Sequence, residues 1–207
     1  MSAETVISTL RHARTAYGEQ QRYAGTIDVG LSERGVQECA AAASALESRV
    51  FDVVVTSPLR RAADTARLLG LNGTPVRECD LCRERSFGVL EGLTFAEARA
   101  LDPPVLFIAV GGDVHSVNPK GGEPFEVVWD RARRFARHLF RAHEGSSVLV
   151  VSHGVFLQML HGVLRGSNCV ESLASYPGNL ELTSFRFVDR VLVSEDTLKL
   201  SQSPMSF

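Results

Sequence analysis

Two histidines, His12 and His153, each follow a segment that reads as a short strand, and the strand before His153 is apolar. Arg11 directly precedes the first histidine, and Arg61 lies just inside the helix that follows another apolar strand. In open α/β sheets, ligands bind beyond the carboxyl ends of the strands. If these strands are neighbours, the histidines and arginines converge on one pocket.

Such a pocket would be suited to phosphoryl transfer. Arginine guanidinium groups are forked partners for phosphate oxygens, and a neutral imidazole is a competent nucleophile toward phosphorus. The protein must mainly align the reactants and stabilise charge, because the charge spreads over three equatorial oxygens. Glu84, in the irregular segment after Arg77, is the candidate proton donor to the leaving oxygen. Two histidines, two arginines and one carboxyl group suffice for metal-free transfer through phosphohistidine.

Each of these residues, taken singly, also has a structural interpretation. A histidine at a strand end is often a structural hydrogen-bonding residue, and Arg61 is compatible with an exposed charge on a helix. Glu84 has arginines on both sides, Arg83 and Arg85, with which it could form ion pairs. The functional interpretation therefore depends on the combination of residues and not on any one position.

The chain around these residues alternates between strand and helix patterns. Strands are predicted at 6–10, 51–55, 75–77 and 148–151, and a hairpin at 180–200 turns around Asp189-Arg190. Helices are predicted at 32–49, from 58 onward, and at 94–101, 125–140 and 155–164. Residues 102–122 contain three prolines and four glycines, and we expect a long loop or lid there.

This order of elements predicts an α/β fold, a three-layer α/β/α sandwich around a mainly parallel mixed sheet. The sequence shows no linker, internal repeat or low-complexity segment. We therefore expect residues 1–207 to form a single domain, with a lid or insertion at about 93–122.

Composition limits the classes of function. The 207 residues are 44% hydrophobic and 22% charged, an ordinary globular balance. The net charge of −2 argues against nucleic acid and anionic membranes as partners, although arginines at 131–141 could form a basic stripe. We see neither a secretory signal nor an apolar run of membrane-spanning length. Four cysteines without a second metal-binding pair suggest reduced thiols, and we expect a cytoplasmic location.

Six sequence blocks resemble motifs of the histidine phosphatase superfamily, the phosphoglycerate mutase-like family. The resemblance extends from residue 5 to about residue 187. The blocks are R-H-A-R-T at 11–15, R-Y-A-G-T-I-D-V-G-L-S-E-R-G at 22–35, S-P-L-R-R-A-A-D-T-A at 57–66, L-C-R-E-R-S-F-G-V-L-E-G at 81–92, G-G-E at 121–123 and V-V-S-H-G at 150–154. One block alone is weak evidence, whereas six in family order are a strong signal.

The resemblance implies a phosphoglycerate mutase-like fold and a role for each matching residue. His12 would be the nucleophile that becomes phosphorylated, while Arg11, Arg61 and His153 would hold the phosphoryl oxygens. Glu84 would protonate the leaving alcohol and then activate water. Neither a metal nor a cofactor is implied. The expected substrate-binding positions are Arg14, Thr15, Gly25, Arg85 and Gly154, the last through its backbone amide.

The sequence departs from the family pattern near the nucleophile. Ala13 and Arg14 stand where the family has a glycine and then an acidic or amide residue, and Gly18 stands where an asparagine is common. Part of the phosphate cradle is therefore missing or supplied by another group, for which Arg14 is a candidate. All five residues with an implied catalytic role are present, namely Arg11, His12, Arg61, Glu84 and His153. This favours an active enzyme over a pseudoenzyme that binds a phosphorylated ligand without turnover.

The resemblance covers both mutases and phosphatases. Mutases share a basic insertion after the E-G block, whereas residues 92–122 offer only Arg99 and Lys120, and Val105–Val110 is apolar. We therefore predict a phosphomonoester phosphatase that acts on a small phosphorylated metabolite, a sugar phosphate or similar. A phosphoglycerate mutase-type phosphotransferase is the alternative. The expected partner is the small-molecule substrate, and the sequence leaves both a monomer and a homodimer open.

Overall fold

A six-stranded sheet forms the centre of the computed structural model, which describes residues 3–71 and 73–200. The sheet order is β3-β2-β6-β1-β7-β8, and β4 and β5 form a separate hairpin. Strands β3, β2, β6 and β1 run parallel, while β7 and β8 are antiparallel to their neighbours. The predicted mixed, mainly parallel sheet is confirmed. The strands are β1 (Glu4–Arg11), β2 (Val53–Thr56), β3 (Val76–Glu78), β4 (Leu106–Val110), β5 (Asp113–Val117), β6 (Ser147–Ser152), β7 (Glu181–Val188) and β8 (Val191–Lys199).

Helices cover both faces of this sheet. On β2, Val53 and Val55 belong to the core shared with α5 and α6, whereas Val54 belongs to the core shared with α2 and α3. The alternation arises because successive side chains of a strand point to opposite faces. The predicted three-layer sandwich is therefore confirmed. The helices are α1 (Ala16–Glu19), α2 (Glu33–Leu46), α3 (Arg60–Leu68), α4 (Phe95–Arg99), α5 (Phe125–Ala142) and α6 (Gly154–Arg165).

Side-chain caps fix where several helices begin. The Ser32 hydroxyl accepts from the Gly35 amide at 3.1 Å and starts α2, which ends at Leu46 rather than at residue 49. At α4, the Thr94 hydroxyl accepts from the Glu97 amide while the Glu97 carboxylate accepts from the Thr94 amide. This reciprocal capping box stabilises a helix of only five residues.

The register of the parallel strands creates the site. Strands β1 and β2 both pair with β6, with Arg11 opposite Ser152 and Thr56 opposite Val151. The carboxyl ends of three neighbouring strands therefore lie side by side. The polar residues that follow them enter one region of space, as the sequence predicts.

The prediction of a long loop over residues 102–122 is wrong, whereas its alternative, a lid, stays a prediction. Strands β4 and β5 pair antiparallel in this segment, with Val110 opposite Asp113 across a Gly111-Gly112 turn. Both glycines have positive φ, 61° and 92°, which a tight turn of this kind requires. The hairpin has no fully buried face, since Leu106 is 63% exposed, and β4 is apolar throughout, so it lacks the apolar–polar alternation that marks a half-buried strand.

Other features of the described residues complete the fold. The short α1 and three 3-10 turns, at Asp80–Cys82, Gly88–Leu90 and Glu171–Ala174, are additions to the predicted elements. All four cysteines are free thiols. Within residues 3–71 and 73–200, no helix has both the length and the apolar character needed to cross a membrane.

Candidate active site

A cavity of about 470 Å³ lies at the edge of the sheet where β1, β2 and β6 end. The two predicted site residues outside its lining are His153, which is fully buried behind the wall, and Gly154. The cavity therefore assembles most of the predicted set from distant parts of the chain. The predicted residues that line it are Arg11, His12, Arg14, Thr15, Gly25, Arg61, Glu84 and Arg85.

The His12 imidazole is buried in one defined tautomer. Its Nδ1 lies 2.7 Å from the Ala13 carbonyl oxygen. Because a carbonyl oxygen only accepts, Nδ1 carries the proton and Nε2 keeps its lone pair. Burial, and then the positive charges of Arg61 and Arg11, lower the pKa of His12 well below 6.5. The ring is therefore neutral near pH 7, with Nε2 available as a nucleophile.

His153 is held through both of its ring nitrogens. Arg61 Nε donates to Nδ1 at 3.1 Å, so the proton of the neutral ring is on Nε2, which donates to Ser57 Oγ at 2.7 Å. Burial, followed by the charge of Arg61, lowers the pKa of His153 well below 6.5. The ring centroids of His153 and His12 are 5.2 Å apart. To contact a phosphoryl oxygen directly, His153 Nε2 must therefore replace its hydrogen bond to Ser57 by one to the ligand.

Arg61 is oriented by three acceptors within the cavity wall. Besides His153, its Nη1 donates to the Ile27 carbonyl at 2.9 Å and its Nη2 to the Gly25 carbonyl at 2.7 Å. A guanidinium group has five N–H donors, so two remain for a ligand. Gly25 has a φ of +51°, and a Cβ there would lie 2.2 Å from Glu91 Oε1. This close approach explains the glycine.

Arg11 enters the cavity from the end of β1. Its Nη1 donates to the Pro177 carbonyl at 2.9 Å, and its guanidinium carbon lies 4.9 Å from the centroid of the Tyr176 ring. The buried Nε has no hydrogen-bond partner among the described residues. Because an unpaired buried donor is unfavourable, this guanidinium is suited to an anion in the cavity.

Glu84 is fixed against the N-terminus of α6. Its Oε1 accepts from the amides of Arg85 at 2.8 Å and Phe156 at 3.1 Å, and its Oε2 accepts from the Val155 amide at 3.3 Å. Both lone pairs of Oε1 are thus engaged, whereas Oε2 has one to spare. Oε2 is therefore the oxygen that can exchange a proton with a ligand.

Arg85 is anchored mainly by the protein itself. Its guanidinium is fully buried, 3.8 Å above the Phe125 ring centroid, and donates to the carbonyl oxygens of Glu123 and Ser116. Burial lowers the pKa of Arg85 to about 10. Arg85 thus connects β5 to the start of α5, and its contact with substrate stays a prediction.

The remaining predicted positions surround the entrance and the nucleophile. Arg14 Nε donates to Glu38 at 2.9 Å, and Thr15 caps α1 by accepting from the Gly18 amide. The Ala13 methyl group packs in the core with α2 and α3 and does not line the cavity. The departure at position 13 is therefore accommodated away from the ligand space.

Several residues that line the cavity lie outside the six sequence motifs. Tyr176 lies against α6, where a Cβ at Gly154 would be 2.0 Å from its hydroxyl oxygen. Asn179 Nδ2 donates to the His12 carbonyl at 2.7 Å. Asp113 and His115 reach the cavity from β5. Because the tertiary fold alone brings these residues to the site, only a structure could identify them.

Comparison with known proteins gives consistent matches over most of the chain. The family model described as histidine phosphatase superfamily (branch 1) matches residues 7–194. A metal-independent phosphoserine phosphatase of Arabidopsis thaliana is 31% identical over 182 residues, which cover 86% of this chain and 74% of that protein. The solved structure of a mycobacterial glucosyl-3-phosphoglycerate phosphatase is 30% identical, with a TM-score of 0.74, and the match covers 90% of this chain and 91% of that one.

A higher identity is found with part of a longer protein. A bifunctional protein of Mycobacterium tuberculosis is 41% identical over 168 residues. The match covers 75% of this chain but only 43% of the M. tuberculosis protein. The chain therefore spans less than half the length of that relative.

Proposed function

Because this chain belongs to the histidine phosphatase superfamily, we propose that it is a metal-independent phosphomonoesterase that acts through phosphorylated His12. The observation that carries the proposal is the state of that imidazole, which is neutral and buried with Nε2 unprotonated. Arg11 and Arg61 both line the same cavity and both have N–H groups to spare. They would stabilise the charge on the equatorial phosphoryl oxygens.

The proposed reaction has two half-reactions. In the first, His12 Nε2 forms a bond to phosphorus while the bond from phosphorus to the alcohol oxygen breaks. Glu84 gives its proton to that oxygen, so the alcohol leaves neutral. In the second, a water oxygen attacks phosphorus and the bond from phosphorus to nitrogen breaks. Glu84 Oε2 takes a proton from this water, and inorganic phosphate leaves with both residues restored to their starting states.

Two kinds of support favour hydrolysis of a small metabolite. Two relatives that match over most of both chains are named as phosphatases, one for phosphoserine and one for glucosyl-3-phosphoglycerate. A cavity of about 470 Å³ is in the size range of small-molecule sites. The proposed substrate is therefore a small phosphomonoester, a sugar phosphate or similar.

The proposal also includes the surroundings of the cavity. Residues 93–122 would act as its lid, since Phe95 and Arg99 of α4 line the cavity together with residues of β5. Among the described residues, no group of three His, Cys, Asp or Glu side chains is arranged to hold a metal ion. A cytoplasmic location, a monomer or homodimer, and the absence of a nucleic-acid partner stay predictions.

Hydrolysis of p-nitrophenyl phosphate in EDTA tests the proposal. The wild type should release p-nitrophenol at the same rate with and without EDTA, and His12→Ala should lose nearly all turnover. His138→Ala, which removes an exposed histidine from α5, is the matched control and should keep full activity. Loss of turnover in EDTA, or an active His12→Ala, would contradict the proposal.

A further inference from the structure

The wall that β5 contributes to the cavity differs in charge from the other walls. Glu84 and Asp113 are the acidic residues in the lining, and the Glu84 carboxylate already accepts from three backbone amides. The Asp113 carboxylate has no hydrogen bond or ion pair with any described residue. It therefore offers an uncompensated negative charge in a cavity that is otherwise strongly basic. The arginines of the lining are Arg11, Arg14, Arg22, Arg61, Arg85 and Arg99.

His115 adds a second acceptor beside this carboxylate. It stands two residues after Asp113 on β5, so both side chains project from the same face of the strand. His115 Nε2 donates to the Leu173 carbonyl at 3.2 Å, and burial lowers the pKa of His115. The ring is therefore neutral, and its Nδ1 is an unprotonated acceptor. None of the described residues donates a hydrogen bond to His115 Nδ1. This atom is also not fully buried.

One aromatic side chain, Tyr176, connects His115 with the phosphate-binding Arg11. The His115 ring centroid is 6.5 Å from that of Tyr176, and Tyr176 in turn stacks against the Arg11 guanidinium. Tyr176 thus contacts both Arg11 and His115, and Asp113 lies two residues before His115 on β5. A phosphoryl group held by Arg11 would leave the alcohol portion of the substrate within the same cavity as these β5 side chains.

We infer that Asp113 and His115 select a leaving alcohol that carries a hydrogen-bond donor, an ammonium group first and a hydroxyl group second. The inference rests on the proposed phosphatase function and specifies its substrate class. A carboxylate complements an ammonium group, whereas it repels a carboxylate or a second phosphate brought to the same wall. The Asp113 carboxylate and His115 Nδ1 have no hydrogen-bond donor within the described protein. A purely apolar alcohol would leave both acceptors without a hydrogen bond.

Four short phosphate esters of similar size test this selection. They are 2-aminoethyl, 2-hydroxyethyl, propyl and carboxymethyl phosphate, and kcat/KM is measured for each with wild type and Asp113→Asn. These alcohols differ in intrinsic reactivity, so the readout is the change in their kcat/KM ratios between the two proteins. Propyl phosphate and p-nitrophenyl phosphate report on the reaction itself, since neither offers a donor to Asp113.

The expected result is a fall of about tenfold or more in the aminoethyl-to-propyl ratio in Asp113→Asn, because a hydrogen bond between charged groups is lost. The carboxymethyl-to-propyl ratio should rise in the same variant. Asp196→Asn on the exposed strand β8 is the control and should change neither ratio.

Two outcomes would overturn the inference and leave the proposed function standing. One is an unchanged aminoethyl-to-propyl ratio in Asp113→Asn, and the other is a wild type that hydrolyses p-nitrophenyl phosphate but none of the donor-bearing esters. A wild type without activity on any ester, p-nitrophenyl phosphate included, would instead contradict the proposed function, and the inference would fail with it.

Discussion

At the scale of single residues, burial sets the pH range in which His12 can act. The pKa of His12 is lowered by burial and by Arg61 and Arg11, and protonation below that pKa would remove the Nε2 lone pair. After correction for the second ionisation of p-nitrophenyl phosphate, kcat/KM should therefore keep its plateau as the pH falls through 6.5. It should decline only at lower pH. An acid limb with its midpoint at or above 6.5 would contradict this environment for His12.

The role of Glu84 is tested by changing the leaving group. Glu84→Gln keeps the shape of the side chain but removes the proton donor, and general acid catalysis typically contributes about 10²- to 10⁴-fold. We expect a loss of this order in kcat/KM, which reports the first half-reaction, for an alkyl phosphate and a much smaller loss for p-nitrophenyl phosphate, whose phenolate leaves without protonation. Equal losses on both substrates would remove Glu84 from the acid role.

The individual roles were only partly predictable from sequence. The resemblance of the R-H-A-R-T block to the family motif predicted His12 as the nucleophile and Arg11 as a ligand of the phosphoryl oxygens, because both residues lie within that one short block. The hydrogen bonds of His153 were not predictable, since its partner Ser57 lies 96 residues away. The same holds for Arg85, whose acceptors are backbone carbonyls at residues 116 and 123. Side-chain identity alone cannot show which atoms the fold leaves free.

At the scale of elements, the β4–β5 hairpin depends on how its turn sits against the rest of the molecule. A Cβ at Gly111 would lie 2.2 Å from the Ala174 carbonyl oxygen, whereas a Cβ at Gly112 would have nothing within 4 Å. Both residues have positive φ, so alanine at either position carries the strain of a left-handed backbone, about 1–2 kcal/mol. A comparison of alanine at the two positions therefore separates the cost of backbone strain from the cost of a steric clash.

Gly111→Ala should accordingly be more damaging than Gly112→Ala. Urea denaturation should show a loss in free energy of unfolding of about 1–2 kcal/mol for Gly112→Ala and a larger one for Gly111→Ala. Gly111→Ala should also raise KM for 2-aminoethyl phosphate, because the clash moves Asp113 relative to the cavity. Similar effects of the two variants on stability and KM would argue against this docking of the turn.

The elements themselves were predicted unevenly, for a physical reason. Strands β2 and β6 are buried on both sides and appear as continuous apolar runs, whereas Ser8 and Thr9 interrupt the apolar residues of β1. Helix α5 was evident because its buried residues, from Phe125 to Leu139, form one helical face. The hairpin escaped prediction because its strands pair only with each other and β4 stays largely exposed.

At the scale of the whole molecule, buried neutral histidines couple stability to pH. His161 is 3% exposed, and its Nε2 donates to the Thr9 hydroxyl, which itself donates to the Thr183 carbonyl. Burial lowers the pKa of His161 to about 3, against 6.5 in an accessible histidine. Below pH 6.5 the unfolded chain thus binds a proton that the folded chain does not. The stability that the neutral, buried His161 contributes to the folded state is complete above pH 6.5. It is lost as the pH falls from there toward 3.

The free energy of unfolding should therefore fall less steeply with acid in His161→Gln than in the wild type. Between pH 6 and about 5, the slopes should differ by about 1.4 kcal/mol per pH unit, the value for one proton. The glutamine can still donate to Thr9, and His138→Gln serves as an exposed control that should leave the slope unchanged. Parallel curves for wild type and His161→Gln would contradict the buried neutral state.

Transfer of phosphorus to His12 is the central claim, and rapid-quench labelling tests it most directly. The enzyme is mixed with ³²P-labelled p-nitrophenyl phosphate, quenched in alkali within milliseconds, digested, and the labelled peptide is sequenced. We expect an alkali-stable, acid-labile label on the peptide that contains His12, formed and lost fast enough to carry turnover. Steady turnover with no labelled enzyme, or with the label on any other residue, would contradict this transfer.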